Sequence, residues 1–383
     1  MDFNIKYTLN SVRIPYLNGS EEYKKNETFK KINDDNGNTV ETINYKLMQI
    51  PESLIDVLQE ENFIIKGDSK NLYLTTDKKT FQVKQNFHSN CVLLLEQNKI
   101  NNYTSYTTQQ SELELVLTKI PLDTSTIPIY KYESDLLDED DQNNEKKSND
   151  ITKDTLITSL PMSLKEFEEQ WRGSLLIQLS DMTIKKIPYK IESDIIDLIL
   201  MSVVSLNMKY TEIDYDAILN KVKSFKENDK NIDLLIKAVL EKFTDTNKSL
   251  KMKSIAIFYG LKTLRQKCPF SQRNFIELND FYMYWKESFP SYFNCDLDID
   301  FLIGYFAKDL VTNKILEIDP KRLPKTIQKR VPYLMNIQRT WEQKHIQPFF
   351  EELNEQGIKP DNFIMKFAKR KRDKSGKYIV TER

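Results

Sequence analysis

The spacing of apolar residues changes period partway along the chain. Up to Ile120 these residues alternate or fall in short runs: Phe63, Ile64 and Ile65; Leu72 and Leu74; Phe81 and Val83; then Cys91, Val92, Leu93, Leu94 and Leu95. Polar turns such as Gly67-Asp68 and Thr76-Asp77-Lys78 separate the runs, and Leu113, Leu115 and Leu117 alternate after them. Alternation broken by turn residues predicts short strands. A further strand opens between Asn44 and Ile50, and Pro51 starts a short helix carrying Leu54, Ile55 and Leu58. The run 91–95 is apolar at every position, so both faces of that strand should be buried. Little else in this region can bury it, and a sheet this small leaves open edges. Two readings follow: a small barrel closed on itself, or a barrel completed by strands from another chain.

Beyond residue 154 the period becomes helical. Ser163 and Glu166 fit a capping box, and Phe167 and Trp171 lie four apart behind it. Leu175, Ile177 and Leu179 alternate, residues 194–206 are apolar nearly all round as in a core helix, and Ile232, Leu235, Val239 and Phe243 form another stripe. Leu278, Phe281, Tyr282 and Trp285 make an aromatic stripe that Pro290 brings to an end. The last module follows Asp309. Leu334, Ile337 and Trp341 predict one helix, with Pro332 suited to its start, and Ile346, Phe349, Phe350 and Leu353 predict a second. Gly357 suits a left-handed helix end, and Asp361 caps a third helix. That helix should carry Phe363, Ile364 and Phe367 beside a basic stripe of Lys366, Lys369 and Arg370. A turn at 373–376 and a strand from Tyr378 complete the order of a winged helix. Trp171, Trp285 and Trp341 are expected in cores.

Charge sharpens the picture at the carboxyl end. Between Lys366 and Arg383 eight Lys or Arg face only Asp373 and Glu382, a balance of +6 in a chain of formal net charge −1. Such asymmetry points to a polyanion partner or a transport signal. Residues 133–154 are acidic, polar and free of aromatics, as a solvated tether would be, and 18–44 reads as a disordered insertion. The 383 residues suggest two or three domains at about 150 residues each. The 8 glycines form no phosphate-binding motif, the 2 histidines (His88, a strand residue, and His345, just before a helix) sit in no metal or nucleophile pattern, and the 3 cysteines read as reduced thiols. The chain is therefore expected to be no enzyme, with no cofactor and no metal. No apolar run approaches the roughly 20 residues of a membrane helix, and the N-terminus lacks the pattern of a secretory signal.

Three separated stretches carry a family likeness. KTFQVKQNFHSNCVLLL, whose Ser89-Asn90 occupy the family's Ser-Asn pair, SFPSYFNCDLDID from Ser288, and the terminal LNEQGIKPDNFIMKFAKRKRDKSGKYIVTER resemble the Dcc family of sister chromatid cohesion proteins. The likeness runs from about Tyr45 to the end, with the acidic linker divergent and 18–44 as an insertion. It implies a non-catalytic subunit of an alternative replication factor C-like clamp loader (the chromosome transmission fidelity loader), acting in the nucleus in DNA replication and cohesion. The implied partners are a small cohesion subunit, the loader's large ATPase subunit and, through it, the replication factor C small subunits. They also include DNA polymerase epsilon, single- or double-stranded DNA and, indirectly, the clamp PCNA, but no membrane.

The expected fold class is α+β, an N-terminal β-barrel-like domain followed by an array of three winged-helix domains. The boundaries are 1–125 for a β domain completed by partner subunits, 126–154 for the linker, then modules at 155–225, 226–309 and 310–383. Lys366, Lys369, Arg370, Lys371, Arg372, Lys374, Lys377 and Arg383 are the expected DNA or polymerase contacts. Phe81, Val83, Cys91, Val92, Leu93, Leu94 and Leu95 are expected at the subunit interface. A winged-helix transcription regulator with sequence-specific DNA binding is the alternative, and KRKR at 369–372 also reads as a nuclear localisation signal.

Overall fold

A computed structural model describes residues 31–33, 39–41, 47–50, 54, 63–67, 71–99, 102–132, 151–225, 230–354, 357–373 and 376–383. The chain divides into two compact units, Met1–Ile187 and Pro188–Arg383. Mixed α+β structure is present, with ten helices and several small sheets among the described residues. Inside 18–44, β1 (Lys31–Asn33) and β2 (Thr39–Glu41) pair antiparallel. The rest of that stretch, and residues 133–150 of the acidic linker, lie outside the described residues.

The first unit is built on a five-stranded sheet. Its strands are β3 (Leu47–Gln49), β4 (Ile64–Gly67), β5 (Leu72–Thr75), β6 (Thr80–Lys99) and β7 (Asn102–Thr118), in the order β3-β7-β6-β5-β4. Of the two readings, the barrel closed on itself is not formed among the described residues: β3 and β4 stand at opposite edges. The reason lies in strand length. β6 and β7 form a long antiparallel hairpin, but β5 pairs with β6 only at residues 80–83 and β3 meets β7 only at 112–114. The paired end holds a core of Leu54, Leu74, Phe81 and Leu115. The far end is a two-stranded ribbon, interrupted by a register shift between Phe87 and Val92.

Two helices, α1 (Lys153–Ser159) and α2 (Leu164–Trp171), and a hairpin of β8 (Leu176–Gln178) and β9 (Ile184–Lys186) complete this unit around Leu156, Met162, Phe167 and Ile184. Only half of the expected capping box forms. The Ser163 hydroxyl accepts the Glu166 N–H (3.2 Å), but the Glu166 carboxylate accepts hydroxyls instead, from Ser163 (2.8 Å) and from Thr80 of β6 (2.5 Å). The Ser163 N–H donates to the Thr80 hydroxyl at 2.8 Å. A sheet residue thus takes over the cap, and every partner in this buried knot is satisfied. The Lys66 ammonium adds a second tie, donating to the Ile157 and Leu160 carbonyls at 2.8 and 3.0 Å at the negative end of α1.

In the second unit α3 (Tyr189–Ser205), α4 (Tyr215–Lys223) and α5 (Ile232–Phe243) come first. Ile195, Ile196, Ile199, Leu200 and Val203 make α3 the expected core helix. Next come α6 (Met252–Lys267), β10 (Ile276–Glu277), α7 (Leu278–Glu287), a 3-10 turn (Ile299–Leu302), β11 (Phe306–Lys308) and β12 (Lys314–Glu317). After them stand α8 (Ile327–Ile337), β13 (Thr340–Glu342), α9 (Gln343–Glu351), α10 (Pro360–Phe367), β14 (Lys369–Arg372) and β15 (Tyr378–Thr381). Both series run helix, strand, two helical segments and hairpin, and both sheets order their strands first-third-second: β10-β12-β11 and β13-β15-β14. The hairpin turns share a device as well, since carboxylates of Asp181, Asp309 and Asp373 accept the N–H of Thr183, Val311 and Lys377.

Trp285 and Trp341 are fully buried and donate to the Ala256 and Leu334 carbonyls, while Trp171 is half-buried. Gly260 of α6 is required for this packing, because a Cβ there would lie 2.8 Å from Leu302 and Trp285. Gly357 takes the left-handed conformation expected of it (φ 61). Five local expectations are corrected. The helix carrying Leu334 stops at Ile337, and Trp341 lies in β13, which pairs with β15. Pro332 lies inside α8. Pro360 opens α10, so Asp361 sits in its first turn and Lys359 is the cap residue. The helix stops at Phe367, and residues 369–372 are a strand, because β15 offers them an antiparallel partner. Finally, α9 starts at Gln343, which turns His345 inward against Phe306, with ring centroids 5.1 Å apart.

Burial dominates the His345 imidazole and pushes its pKa down to about 4; Glu342 and Asp300 oppose that shift, and Lys344 and Lys308 add to it. The unfolded chain therefore binds a proton that the folded chain refuses between pH 6.5 and about 4. Stability should be complete above pH 6.5 and fall by on the order of 3 kcal/mol as the pH drops to 4. Denaturant titrations across this range should show that slope, and His345→Gln should remove most of it. An unchanged slope in the variant contradicts the assignment.

Candidate functional site

The terminal hairpin places the basic run on a sheet whose inner face is core. Trp341 of β13 and Val380 of β15 are cross-strand neighbours and fully buried, and Arg370 pairs with Val380 from the other side. Strand period then divides the run. Arg370 and Arg372 belong to the face of Tyr378 and Val380, whereas Lys369 and Lys371 belong to the opposite face, beside Thr381 and Ile379.

Arg370 is consumed by structure. Its guanidinium donates to Gln343 Oε1 (2.5 Å), pairs with the Asp361 carboxylate (2.9 Å) and lies 3.6 Å from the centre of the Tyr378 ring. It thereby joins α9, α10 and β15. Gln343 also donates to Asp361 at 2.6 Å, which closes the ring of contacts. Arg372 is exposed, donates to the Gly376 carbonyl (3.0 Å) and lies 5.5 Å from Tyr378. Lys377 is exposed and pairs loosely with Glu342 at 3.4 Å. Arg383 donates to the Lys366 carbonyl at 2.8 Å, which ties the chain end to α10. Lys366, Lys369 and Lys371 are exposed and enter no ion pair among the described residues. Lys374 lies outside the described residues.

Lys344 reaches from the start of α9 to both oxygens of Asp300 (2.9 and 2.8 Å). Burial opposes ionisation there, but the Lys344 hydrogen bond and charge outweigh it and hold the Asp300 carboxyl below its ordinary value. Neither Asp361, Gln343 nor Glu342 was legible as a partner of the basic run, since all three reach it only through tertiary contact.

The second candidate surface is the distal ribbon of β6 and β7. Phe81 is buried in the proximal core and Val83 packs against it. Farther out, Cys91 is exposed, and Val92, Leu93 and Leu95 are 41%, 50% and 52% exposed. Among the described residues, therefore, the run is not buried on both faces as its pattern demands. Leu94 takes its place in the ladder opposite Thr107. Phe87 is 77% exposed and is an addition of the structure; its alternation with Val83 and Gln85 was the available signal. His88 faces Glu112 across the hairpin at 3.0 Å. From residue 84 outward, β6 has no strand on its β5 side among the described residues.

No group of three or more His, Cys, Asp or Glu able to hold a metal occurs among the described residues. No described helix is long and apolar enough to cross a membrane. What the two surfaces offer is exposed cation on a braced hairpin and apolar strand without a cover among the described residues.

The family model described as sister chromatid cohesion protein Dcc1 matches residues 45–350. Sister chromatid cohesion protein DCC1 of Saccharomyces cerevisiae (strain ATCC 204508 / S288c) is 28% identical over 384 aligned positions, covering 88% of this chain and 96% of that protein. The residues matched by the family model include the ribbon and stop before the basic hairpin.

Arg370→Lys keeps the charge but loses the planar fork that spans Gln343 and Asp361. It should destabilise the terminal module by about 1–3 kcal/mol and speed proteolysis at residues 369–372. Thermal unfolding and limited proteolysis check this, and parental behaviour in both contradicts a bracing role for Arg370.

Proposed function

From the premise that this chain belongs to the Dcc1 family of sister chromatid cohesion proteins, we propose that it is a non-catalytic subunit of an alternative replication factor C-like clamp loader. Family membership supports a role in sister chromatid cohesion and a chromosome-associated, nuclear setting. The finer assignment is that the N-terminal sheet takes strands from the small cohesion subunit and the large ATPase subunit. Through the latter the chain joins the small subunits of the loader. The carboxyl-terminal module contacts DNA or polymerase epsilon and so directs the loading of PCNA. Phe81, Val83, Cys91, Val92, Leu93, Leu94 and Leu95 serve the first contact. Lys366, Lys369, Arg370, Lys371, Arg372, Lys374, Lys377 and Arg383 serve the second, with Arg370 acting through the shape of the hairpin.

The observation that carries this reading is the apolar ribbon on an unpaired strand. A two-stranded ribbon is marginal in water alone, and an exposed apolar edge is a template for an added strand. Covering each half-exposed side chain would contribute on the order of 1 kcal/mol. The winged-helix reading draws support from the strand order first-third-second in both sheets of the second unit, with two helical segments between the first and second strands. The regulator alternative gains nothing from α10, whose exposed positions are Pro360, Asn362, Met365 and Lys366, a single amide for reading base edges.

Co-expression with the small cohesion subunit and the tail of the large subunit tests the reading. The parent chain should co-purify with both, and Leu93→Asp with Leu95→Asp should abolish co-purification while the second unit stays folded. Retained co-purification in that variant overturns the assignment of the ribbon.

A further inference from the structure

We infer that a groove between the second half of α3 and the loop after α7 binds a short, extended, proline-rich protein segment carrying an arginine or lysine. The groove has a volume of about 600 Å³ and runs between Asp197, Met201 and Val204 of the helix and Phe289, Pro290 and Tyr292 of the loop. It is separate from both the apolar ribbon and the basic hairpin.

A tight turn shapes its rim. The Phe293 N–H donates to the Pro290 carbonyl at 3.1 Å, and Tyr292, the third residue of that turn, takes φ 65. That position favours Gly or Asn, and a bulky residue there is strained. The turn sends two neighbouring rings in opposite directions. Phe293 is buried against Tyr210 and Phe289, with ring centroids 5.1 and 5.9 Å away, whereas Tyr292 is 87% exposed. Gly would suit the backbone better and Phe293 already anchors the loop, so folding does not explain an aromatic at position 292. Phe289 is backed by the Tyr259 ring at 4.4 Å, which gives the groove a firm floor. On the facing helix Met201 is 50% exposed.

The lining selects its occupant. Every lining residue belongs to the helix or the loop, so the groove offers no strand edge for ladder pairing. A polyproline segment needs none, because it lacks N–H groups and presents apolar rings and bare carbonyls. Aromatic rings, Pro290 and the Met201 thioether suit those rings. The Ser291 and Tyr292 hydroxyls have no hydrogen-bond partner among the described residues and are donors for the carbonyls. From Asp197 to Ser205 the helix runs about 12 Å, the reach of about four residues of polyproline. Charge decides what flanks the prolines. The lining holds one carboxylate and no cation. Asp197 accepts the Tyr259 hydroxyl and pairs with Lys262 at 3.5 Å, yet its side chain stays 34% exposed. Asp194, one turn earlier on the same face, enters no ion pair among the described residues. The other end of the groove meets the C-terminus of α3, whose dipole is also negative. A cation on the occupant complements both ends, and an acidic segment is repelled.

The test uses the full chain and a fluorescein-labelled polyproline of about ten residues ending in arginine, long enough to cover the groove. Anisotropy titrations compare it with the same peptide ending in glutamate and with a glycine-serine peptide ending in arginine. The arginine polyproline should saturate the chain below about 1 mM and bind at least about fivefold tighter than either comparator. Tyr292→Gly should weaken binding at least about fivefold without lowering Tm, because Gly adopts the left-handed backbone freely. A merely structural role for Tyr292 would lower Tm as well. Met201→Ala should also weaken binding, Asp194→Asn should narrow the preference for arginine over glutamate, and Val311→Ala, exposed and outside the groove, should change nothing. Failure to saturate by about 1 mM, equal binding of either comparator, or parental affinity in Tyr292→Gly overturns the inference. Sedimentation of the full chain covers the other occupant: self-association that Tyr292→Gly abolishes assigns the groove to a second copy and overturns it too.

Discussion

The terminal hairpin owes its shape to one guanidinium placed against a buried sheet face. Arg370 binds Gln343 and Asp361 and lies over Tyr378, while Trp341 and Val380 fill the space beneath the same sheet. A charged group this enclosed is tolerable because its partners are charged or polar and well placed. Without it, the hairpin would be a short cationic ribbon whose members repel one another. With it, the remaining cations stand at defined intervals on the opposite face. Position on the strand, rather than net charge, separates the bracing arginine from the free lysines.

The first unit shows the same economy at its other extreme. Thr80 sits fully buried at the root of β6 and is hydrogen-bonded to both Ser163 and Glu166, and Lys66 binds the carbonyls that end α1. These ties fix the sheet to its helices where β5 and β3 also pair. Beyond that point β6 and β7 continue alone, and their exposed Phe87, Val92, Leu93 and Leu95 find no cover among the described residues. Anchorage at one end and apolar exposure at the other is the distribution expected of a strand pair that finishes folding in a complex.

Much of this was legible because period and burial are local signals. The alternation of Leu113, Leu115 and Leu117 marks β7, the apolar girth of residues 194–206 marks α3, and the stripe of Leu278, Phe281 and Trp285 marks α7, whose tryptophan is enclosed. The misreadings share a cause. Four successive cations satisfy both the helical and the strand period, so residues 369–372 carried no period of their own, and the partner β15 decided the outcome. His345 was turned inward by a helix that starts at Gln343. Glu166 gave up the backbone half of its box to a threonine far away in sequence. The run 91–95 was expected to be buried on both faces, yet Cys91, Val92, Leu93 and Leu95 are exposed, because a strand pattern asks for cover without saying where it comes from. The kinship of the two strand-and-helix modules in the second unit lies in strand order, with no matching residues to announce it.

Amide hydrogen exchange on the full chain decides whether residues 369–372 form a braced strand. The paired amides of β14 and β15 should be protected to an extent comparable with β13, and β14 should lose that protection when Arg370 is replaced by Ala. Exchange at unprotected rates across β14 and β15 in the parent chain would contradict it.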